Sequence, residues 1–176
     1  RGAVKFETFV RHSTPGQEMN DMGLIPTVND MSIRQSVDYQ QPSPSRWIRS
    51  SFSSLSGESH WTTGGLPSSR SLSLHASASL HNNWAGALTV QAVDFGGVNC
   101  VSCARGGPSL RRSAGQSIRV DIVPDPRLEI APRGMIRAFS GDEGATHGQA
   151  GELGVEVRVA SQFSATIGAA EHGLRG

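Results

Sequence analysis

Two closely spaced cysteines are the first residues in this sequence whose types and spacing could do chemistry. Cys100 and Cys103 stand three residues apart, a spacing used by zinc sites and redox pairs. A tetrahedral zinc site needs four ligands, however, and no second pair of Cys or His at short spacing follows. On a strand, residues three apart also point to opposite faces. We therefore interpret them as two ordinary half-buried thiols, compatible with a reducing compartment.

The remaining reactive side chains form no catalytic pattern. The six histidines show neither a His-x-His nor a His-Glu-x-x-His pair: His12, His60, His75, His81, His147 and His172. Ser59 and His60 are adjacent, but adjacency in sequence is not the hydrogen-bonded geometry that activates a hydroxyl. Asp142 and Glu143 lack the further spaced oxygens that a hard cation requires. The sequence thus predicts no catalytic, cofactor-binding or metal-binding residue, no cofactor, and a protein that is not an enzyme.

The net charge and the aromatic content restrict the classes of partner that the protein is expected to bind. The net charge is +1, with 16 basic and 15 acidic residues, so only a weak, local contact with RNA is expected. Trp47, Trp61 and Trp84 could stack on sugars or bases, or pack in a core or an interface. No run of about 18 apolar residues is present, and we expect no membrane contact.

Alternating patterns predict the elements that must position these residues. Leu72, Leu74, Ala76, Ala78 and Leu80 alternate with serines and one histidine, which is typical of a strand with one polar face. Similar patterns predict further strands, here given by residue number: 4–11, 32–39, 87–95, 98–104, 117–124, 127–130, 135–139 and 151–163. This number of short strands indicates an all-β, two-sheet sandwich made of one domain, residues 1–176.

Two stretches depart from alternation. The apolar spacing from Trp47 to Leu55 predicts one short helix, and the Ser- and Gly-rich residues 50–71 predict a long polar connection. Residues 1–14 are expected to be an N-terminal arm or strand. Residues 164–176, rich in Gly and Ala, are expected to be a flexible C-terminal tail. No targeting segment or initiator Met precedes Arg1, which fits a fragment of a longer precursor or a trimmed chain.

A resemblance to a known family rests on the order of four segments. The stretch from His81 to Val93, with Trp84-Ala85-Gly86 near its start, resembles a signature in the capsid proteins of picorna-like viruses. Residues 98–103, 117–124 and 151–159 follow in the order of that family's later strands, and residues 6–15 are similar to the segment that leads into its first strand. The small size most resembles the single-jelly-roll coat proteins of plant secoviruses, such as the comovirus small subunit and the cheravirus coat proteins.

The resemblance implies an eight-stranded antiparallel jelly-roll sandwich with one or two short helices and extended termini. It implies a structural coat protein, cut from a polyprotein, that assembles with itself or sister coat proteins into an icosahedral, pseudo T=3 shell around an RNA genome. The partners would be other coat subunits and packaged RNA. The location would be the virion, assembled in the host cytoplasm.

A β-sandwich recognition module is the alternative, either a phage tail or decoration protein or a carbohydrate-binding domain that uses Trp47, Trp61 or Trp84. An enzyme of cupin type lacks its clustered histidine and carboxylate ligands.

Overall fold

A computed structural model of the chain describes residues 2–13, 30–100, 110–160 and 163–175. Its strands are β1 Ala3–Ser13, β2 Asp30–Gln41, β3 Ile48–Trp61, β4 Pro67–Leu80, β5 Ala85–Val93, β6 Asn99–Cys100, β7 Leu110–Arg111, β8 Gly115–Val123, β9 Ile130–Gly141, β10 Thr146–Ala160 and β11 Phe163–Arg175. One 3-10 turn, Asp142–Gly144, is the only helical element in these ranges. No helix of the described residues has the length and apolar character needed to cross a bilayer.

Nine strands form one antiparallel sheet in the order β1-β2-β3-β4-β5-β8-β9-β10-β11. Strands β6 and β7 pair separately, within the connection from β5 to β8. The all-β class and the antiparallel pairing are therefore confirmed. The eight-stranded jelly roll is not confirmed, because each strand of this sheet bonds to the strand before or after it, whereas a jelly roll pairs distant strands in two facing sheets.

The register of the pairs gathers the apolar residues on one side, here called the apolar face. Residues directly opposite each other in an antiparallel pair share a face, so a chain of pairs can be followed across the sheet. It runs Phe6, Val37, Leu55, Leu74, Val90, Ile118. Farther along, Val120 lies opposite Ile136, and Val155 lies opposite Ile167. Successive residues alternate between faces, so the opposite side, the polar face, carries most of the Ser, Arg, Asp and Glu residues.

The predicted helix is wrong, and so is the polar connection that was expected to follow it. Residues 48–61 are strand β3, in which Ser51 to His60 pair with both β2 and β4. Phe52 and Leu55 are three apart and lie on opposite faces. The Ser-rich composition hid a strand that carries serine on both faces, such as Ser53 on the apolar face and Ser54 on the polar face, and whose neighbours supply the pairing.

The predicted flexible tail is also wrong. Residues 163–175 form β11 and pair with β10, for example Ala169 with Leu153. Gly and Ala have low strand propensity, but pairing with an already formed strand decides the conformation. Residues 127–130 and 135–139 are not two strands, because β9 runs unbroken from Ile130 to Gly141. Of the predicted strand at 98–104, only Asn99–Cys100 is a strand among the described residues.

Very little of this sheet is buried. Val98 and Ala131 are the only buried hydrophobic residues in the described ranges. The accessible surface is 12267 Å² for 18.6 kDa, whereas a compact protein of that mass exposes roughly 8,200 Å². Among the described residues, strands contact only their sheet neighbours, apart from β4 with β6. The described residues form a single layer, and none of their strands packs over its apolar face.

Candidate functional site: the two faces of the sheet

A network of charged side chains lies on the polar face near the end of β3. His60 sits between two carboxylates, with its Nδ1 3.1 Å from Asp30 Oδ2 and its Nε2 3.1 Å from Glu58 Oε1. Arg34 Nη2 donates to the other oxygen of Glu58 at 2.8 Å. These residues come together because β2 and β3 are adjacent and their register places Arg34 opposite Glu58.

The pKa of Glu58 is lowered by this network. Partial burial alone would raise that pKa, because burial disfavours the charged carboxylate. The hydrogen bond and the charge of Arg34, with further contributions from His60, outweigh burial. The carboxyl group of Glu58 therefore stays ionised and has no proton to donate. Its ion pair with Arg34 joins strand β3 to strand β2.

Ion pairs recur along the polar face. Arg119 donates to Asp121 from the same strand with Nη2–Oδ1 at 2.6 Å, and Arg133 Nη2 of β9 contacts Glu156 Oε2 of β10 at 2.5 Å. Lys5 pairs with Glu7 on β1. Opposite charges balance in these pairs. No buried polar side-chain atom of the described residues lacks a hydrogen-bond partner.

A polar hollow of ≈ 460 Å³ lies on the same side of the sheet. Its lining combines Arg34 and Glu58 with serines of β2, β3 and β4, and with Phe52. It is open and shallow, and its charged groups are already paired. No group of three or more His, Cys, Asp or Glu residues able to hold a metal ion occurs in the described ranges.

The structure separates the adjacent Ser59 and His60. Ser59 lies on the apolar face, opposite Ile33, while His60 lies on the polar face, opposite Ser32. Two neighbours on a strand point to opposite sides, so their side chains do not meet. Asp142 accepts a hydrogen bond from Thr146 Oγ1 at 2.7 Å and stabilises the turn before β10.

Cys100 is disulfide-bonded, so its interpretation as an ordinary thiol is wrong. The only other cysteine of the chain, Cys103, lies outside the described residues. A disulfide is typical of an oxidising compartment. Spacing alone could not decide between thiols and a disulfide, because the prediction assumed a straight strand through both residues.

In a water-soluble sandwich the apolar side chains are buried and the polar ones exposed, whereas here the apolar side chains are the more exposed ones. On β4, the apolar Leu72, Leu74 and Leu80 are exposed, whereas the polar Ser71 to His75 positions between them are half-buried. On β10, Leu153 is 73% exposed, but the side chain of Glu156 is only 12% exposed. Glu156 is covered by its ion-pair partner Arg133 on the polar face, whereas Leu153 has no such cover.

The aromatic residues with polar atoms lie at strand ends. Trp47 precedes β3, Trp84 precedes β5, and Tyr39 is near the end of β2, all at one end of the sheet, while Trp61 closes β3 at the other end. Tyr39 and Trp61 belong to the apolar face, since they lie opposite Val4 and Met31. The three tryptophans are thus not a single stacking platform. They lie at the two borders of the apolar face.

The connections differ between the two ends of the sheet. At one end, the short-turn end, the connections are residues 42–47, 81–84, 124–129 and 161–162. At the other, the long-loop end, they include residues 14–29 and 94–114, the longest in the chain, and the second of these contains Cys100. The two ends therefore present different structures to their surroundings.

Comparisons with protein-family models, with characterised proteins and with solved structures gave no match.

The functional feature that sequence reasoning missed is the shared apolar face. Its signal was present, because alternation occurs in nearly every strand segment. Alternation was taken to mean a half-buried sandwich strand, yet the same pattern fits any sheet with one apolar side. Pairing order was needed to show that all nine strands contribute to the same side.

Proposed function

We propose that this chain is a membrane-embedded structural sheet, whose apolar face lies against lipid hydrocarbon and whose polar face lines an aqueous space. The observation that carries the proposal is the apolar face of β4, β5, β8 and β9, which continues into apolar residues of the flanking strands. In the outer strands the same face also carries polar residues, among them His12, Ser53 and Glu171. On β4 from Leu72 onward, and on β5, β8 and β9, no charged side chain lies on that face.

Lipid hydrocarbon would cover the apolar side chains, against which no other strand of the described residues packs. The expectation of no membrane contact rested on the length of an apolar helix, whereas a strand crosses the hydrocarbon with about 9–11 residues.

The borders of the apolar face agree with this proposal. Trp and Tyr favour the level of the lipid headgroups, where the ring is apolar and its N–H or O–H remains hydrated. Trp61 and Tyr39 lie toward the two ends of the face, and Leu, Ile, Val and Ala fill its middle on β4, β5 and β8. The ion pairs of the polar face, including Arg34–Glu58 and Arg133–Glu156, would border water.

The proposed function is therefore the wall of a water-filled path for polar solutes. Balanced ion pairs on the polar face give no strong preference for anions or cations. A disulfide at Cys100 supports an orientation in which the long-loop end faces an oxidising compartment.

A paired-variant experiment tests the proposal. Leu74→Arg puts a charge in the middle of the apolar face, and Ser73→Arg puts the same charge one residue away on the polar face. We expect Leu74→Arg to weaken insertion into phosphatidylcholine vesicles by about 2–4 kcal/mol, and Ser73→Arg to insert nearly as well as the unchanged chain. Flotation of refolded protein with vesicles measures this, and equal insertion of the two variants would contradict the proposal.

The viral coat protein remains a prediction from the sequence resemblance. Exposed apolar side chains and unpaired edge strands fit a subunit that needs neighbours, which is the observation in its favour. The sequential strand order gives no support to its jelly-roll form. Electron microscopy of purified protein that shows closed shells would favour the coat protein over the membrane sheet.

A further inference from the structure

Phe52 is an aromatic side chain on the polar face of β3. It lies opposite Gln40 of β2 and Ser77 of β4, and 37% of it is exposed. Its ring stands 6.2 Å from the ring of His75, measured between centroids, at an interplanar angle of 48°. Because an apolar ring in water is unfavourable, this position favours contact with the apolar surface of a ligand.

The hollow of ≈ 460 Å³ that Phe52 lines is rich in hydroxyl groups. Ser36, Ser56 and Ser71 line it and are half-buried, and none of their hydroxyls makes a hydrogen bond to another described residue. A hydroxyl group both donates and accepts. The volume lies within the range of about 300–1,000 Å³ that is typical of small-molecule sites. These serines can therefore bond to a ligand that also donates and accepts.

The charged groups of the hollow favour a ligand without net charge. The carboxylate of Glu58 is already paired with Arg34. Asp38 accepts from Ser54 Oγ at 2.6 Å through Oδ1, and its Oδ2 makes no hydrogen bond to another described residue. Since a carboxylate accepts and does not donate, a ligand that bonds to Oδ2 must be a donor.

We propose that this hollow binds a neutral saccharide, with the C–H face of one pyranose ring against Phe52 and its hydroxyl groups bonded to Asp38 and to the serines. A pyranose ring combines an apolar face with several hydroxyl groups and carries no net charge, which is the combination that the lining requires. The inference rests on the proposed function, because it names the class of polar solute that the path along the polar face takes.

Calorimetric titration of the refolded chain in detergent tests the inference. The probes are maltose, cellobiose and lactose, three disaccharides built of pyranose rings, and the detergent has no sugar headgroup that could compete with them. Mannitol is the control ligand, because this open-chain polyol has hydroxyl groups but no ring face. Phe52→Leu removes the aromatic ring and keeps an apolar side chain, and Phe139→Leu makes the same change on the polar face of β9, outside the hollow.

We expect at least one of the disaccharides to bind and mannitol not to bind. Phe52→Leu should weaken the binding by about 5-fold, whereas Phe139→Leu should leave it unchanged. Asp38→Asn, which keeps the shape of the side chain and removes its charge, should weaken the binding by about 10-fold. No binding of any disaccharide, equal binding of mannitol, or equal effects of the two Phe variants would overturn the inference.

Flotation of the same preparation with vesicles separates this inference from the proposed function. A chain that floats with vesicles but binds no disaccharide would overturn the saccharide site alone. A chain that binds a disaccharide but does not float would overturn the proposed membrane location and leave the saccharide site supported.

Discussion

Charged residues on the polar face form ion pairs, and the pKa of Glu58 shows how such pairs make the stability of the folded chain depend on pH. Its folded-state pKa lies below the usual value of 4.5, because Arg34 and His60 favour the carboxylate more than burial opposes it. A lowered pKa means that the contribution to stability is complete above the unfolded pKa and is lost as the pH falls through the folded one.

We therefore expect Glu58→Gln to reduce the free energy of unfolding by about 1 kcal/mol at pH 7. The difference from the unchanged chain should shrink as the pH falls below 4.5, since the natural carboxyl is then being protonated as well. Urea unfolding in detergent at several pH values measures this. Glu7→Gln, which removes the exposed pair with Lys5, is the matched control and should have little effect at any pH. An equal loss for Glu58→Gln at pH 7 and pH 3 would contradict the role of the ion pairs.

Asn83 is the residue on which the turn between β4 and β5 depends. Its φ of 62° lies in the left-handed region, which Asn tolerates and β-branched residues do not. Its side chain accepts from Arg49 at 2.6 Å and donates to Asp125 at 3.3 Å. Arg127 in turn holds the pKa of Asp125 well below its usual range by hydrogen bonding, so this carboxylate stays charged.

We expect Asn83→Gly to lose only the side-chain hydrogen bonds, whereas Asn83→Val loses them and also adds about 1–2 kcal/mol of backbone strain. Thermal unfolding followed by circular dichroism should rank the unchanged chain first, Gly second and Val last. If the Val variant matched the Gly variant, the left-handed backbone would not be what the turn requires.

At the scale of elements, alternation predicted the strands well where polar and apolar residues differ sharply. Residues 72–80 and 117–123 are strands as expected, and β2 extends the predicted segment at both ends. The failures share one physical cause. In β3 and β11 the small residues Ser, Ala and Gly carry little pattern of their own, so neighbouring strands impose the conformation.

The candidate site was less predictable than the strands. The bridge from Asp30 through His60 to Glu58 depends on the register of β2 against β3. No spacing rule in a single sequence specifies that register. The same limit applies to the apolar face, which exists only once nine strands are paired in order.

The apolar face predicts how individual strands respond to charge. We expect Ile118→Lys on β8 to disrupt insertion as Leu74→Arg does, since both side chains belong to the same face, and Ser117→Lys to leave insertion nearly unchanged. Protection of the folded chain from protease in vesicles measures this. If the two variants at 117 and 118 behaved alike, β8 would not have one lipid-facing side.

At the scale of the whole molecule, the sheet has far more surface than a compact chain of its mass, and its apolar side is the more exposed one. A single layer of this size has no core of its own and depends on what covers it. In the arrangement that we propose, lipid covers the apolar face and water covers the polar face.

The most direct test labels neighbouring positions on one strand. Single cysteines at positions 72 to 77, in a chain with Cys100 and Cys103 replaced by serine, carry an environment-sensitive fluorophore in vesicles. We predict that labels at 72, 74 and 76 are quenched by brominated lipid and labels at 73, 75 and 77 by aqueous iodide, in strict alternation. Equal quenching at all six positions, or iodide access at 72, 74 and 76, would contradict a lipid-facing apolar side.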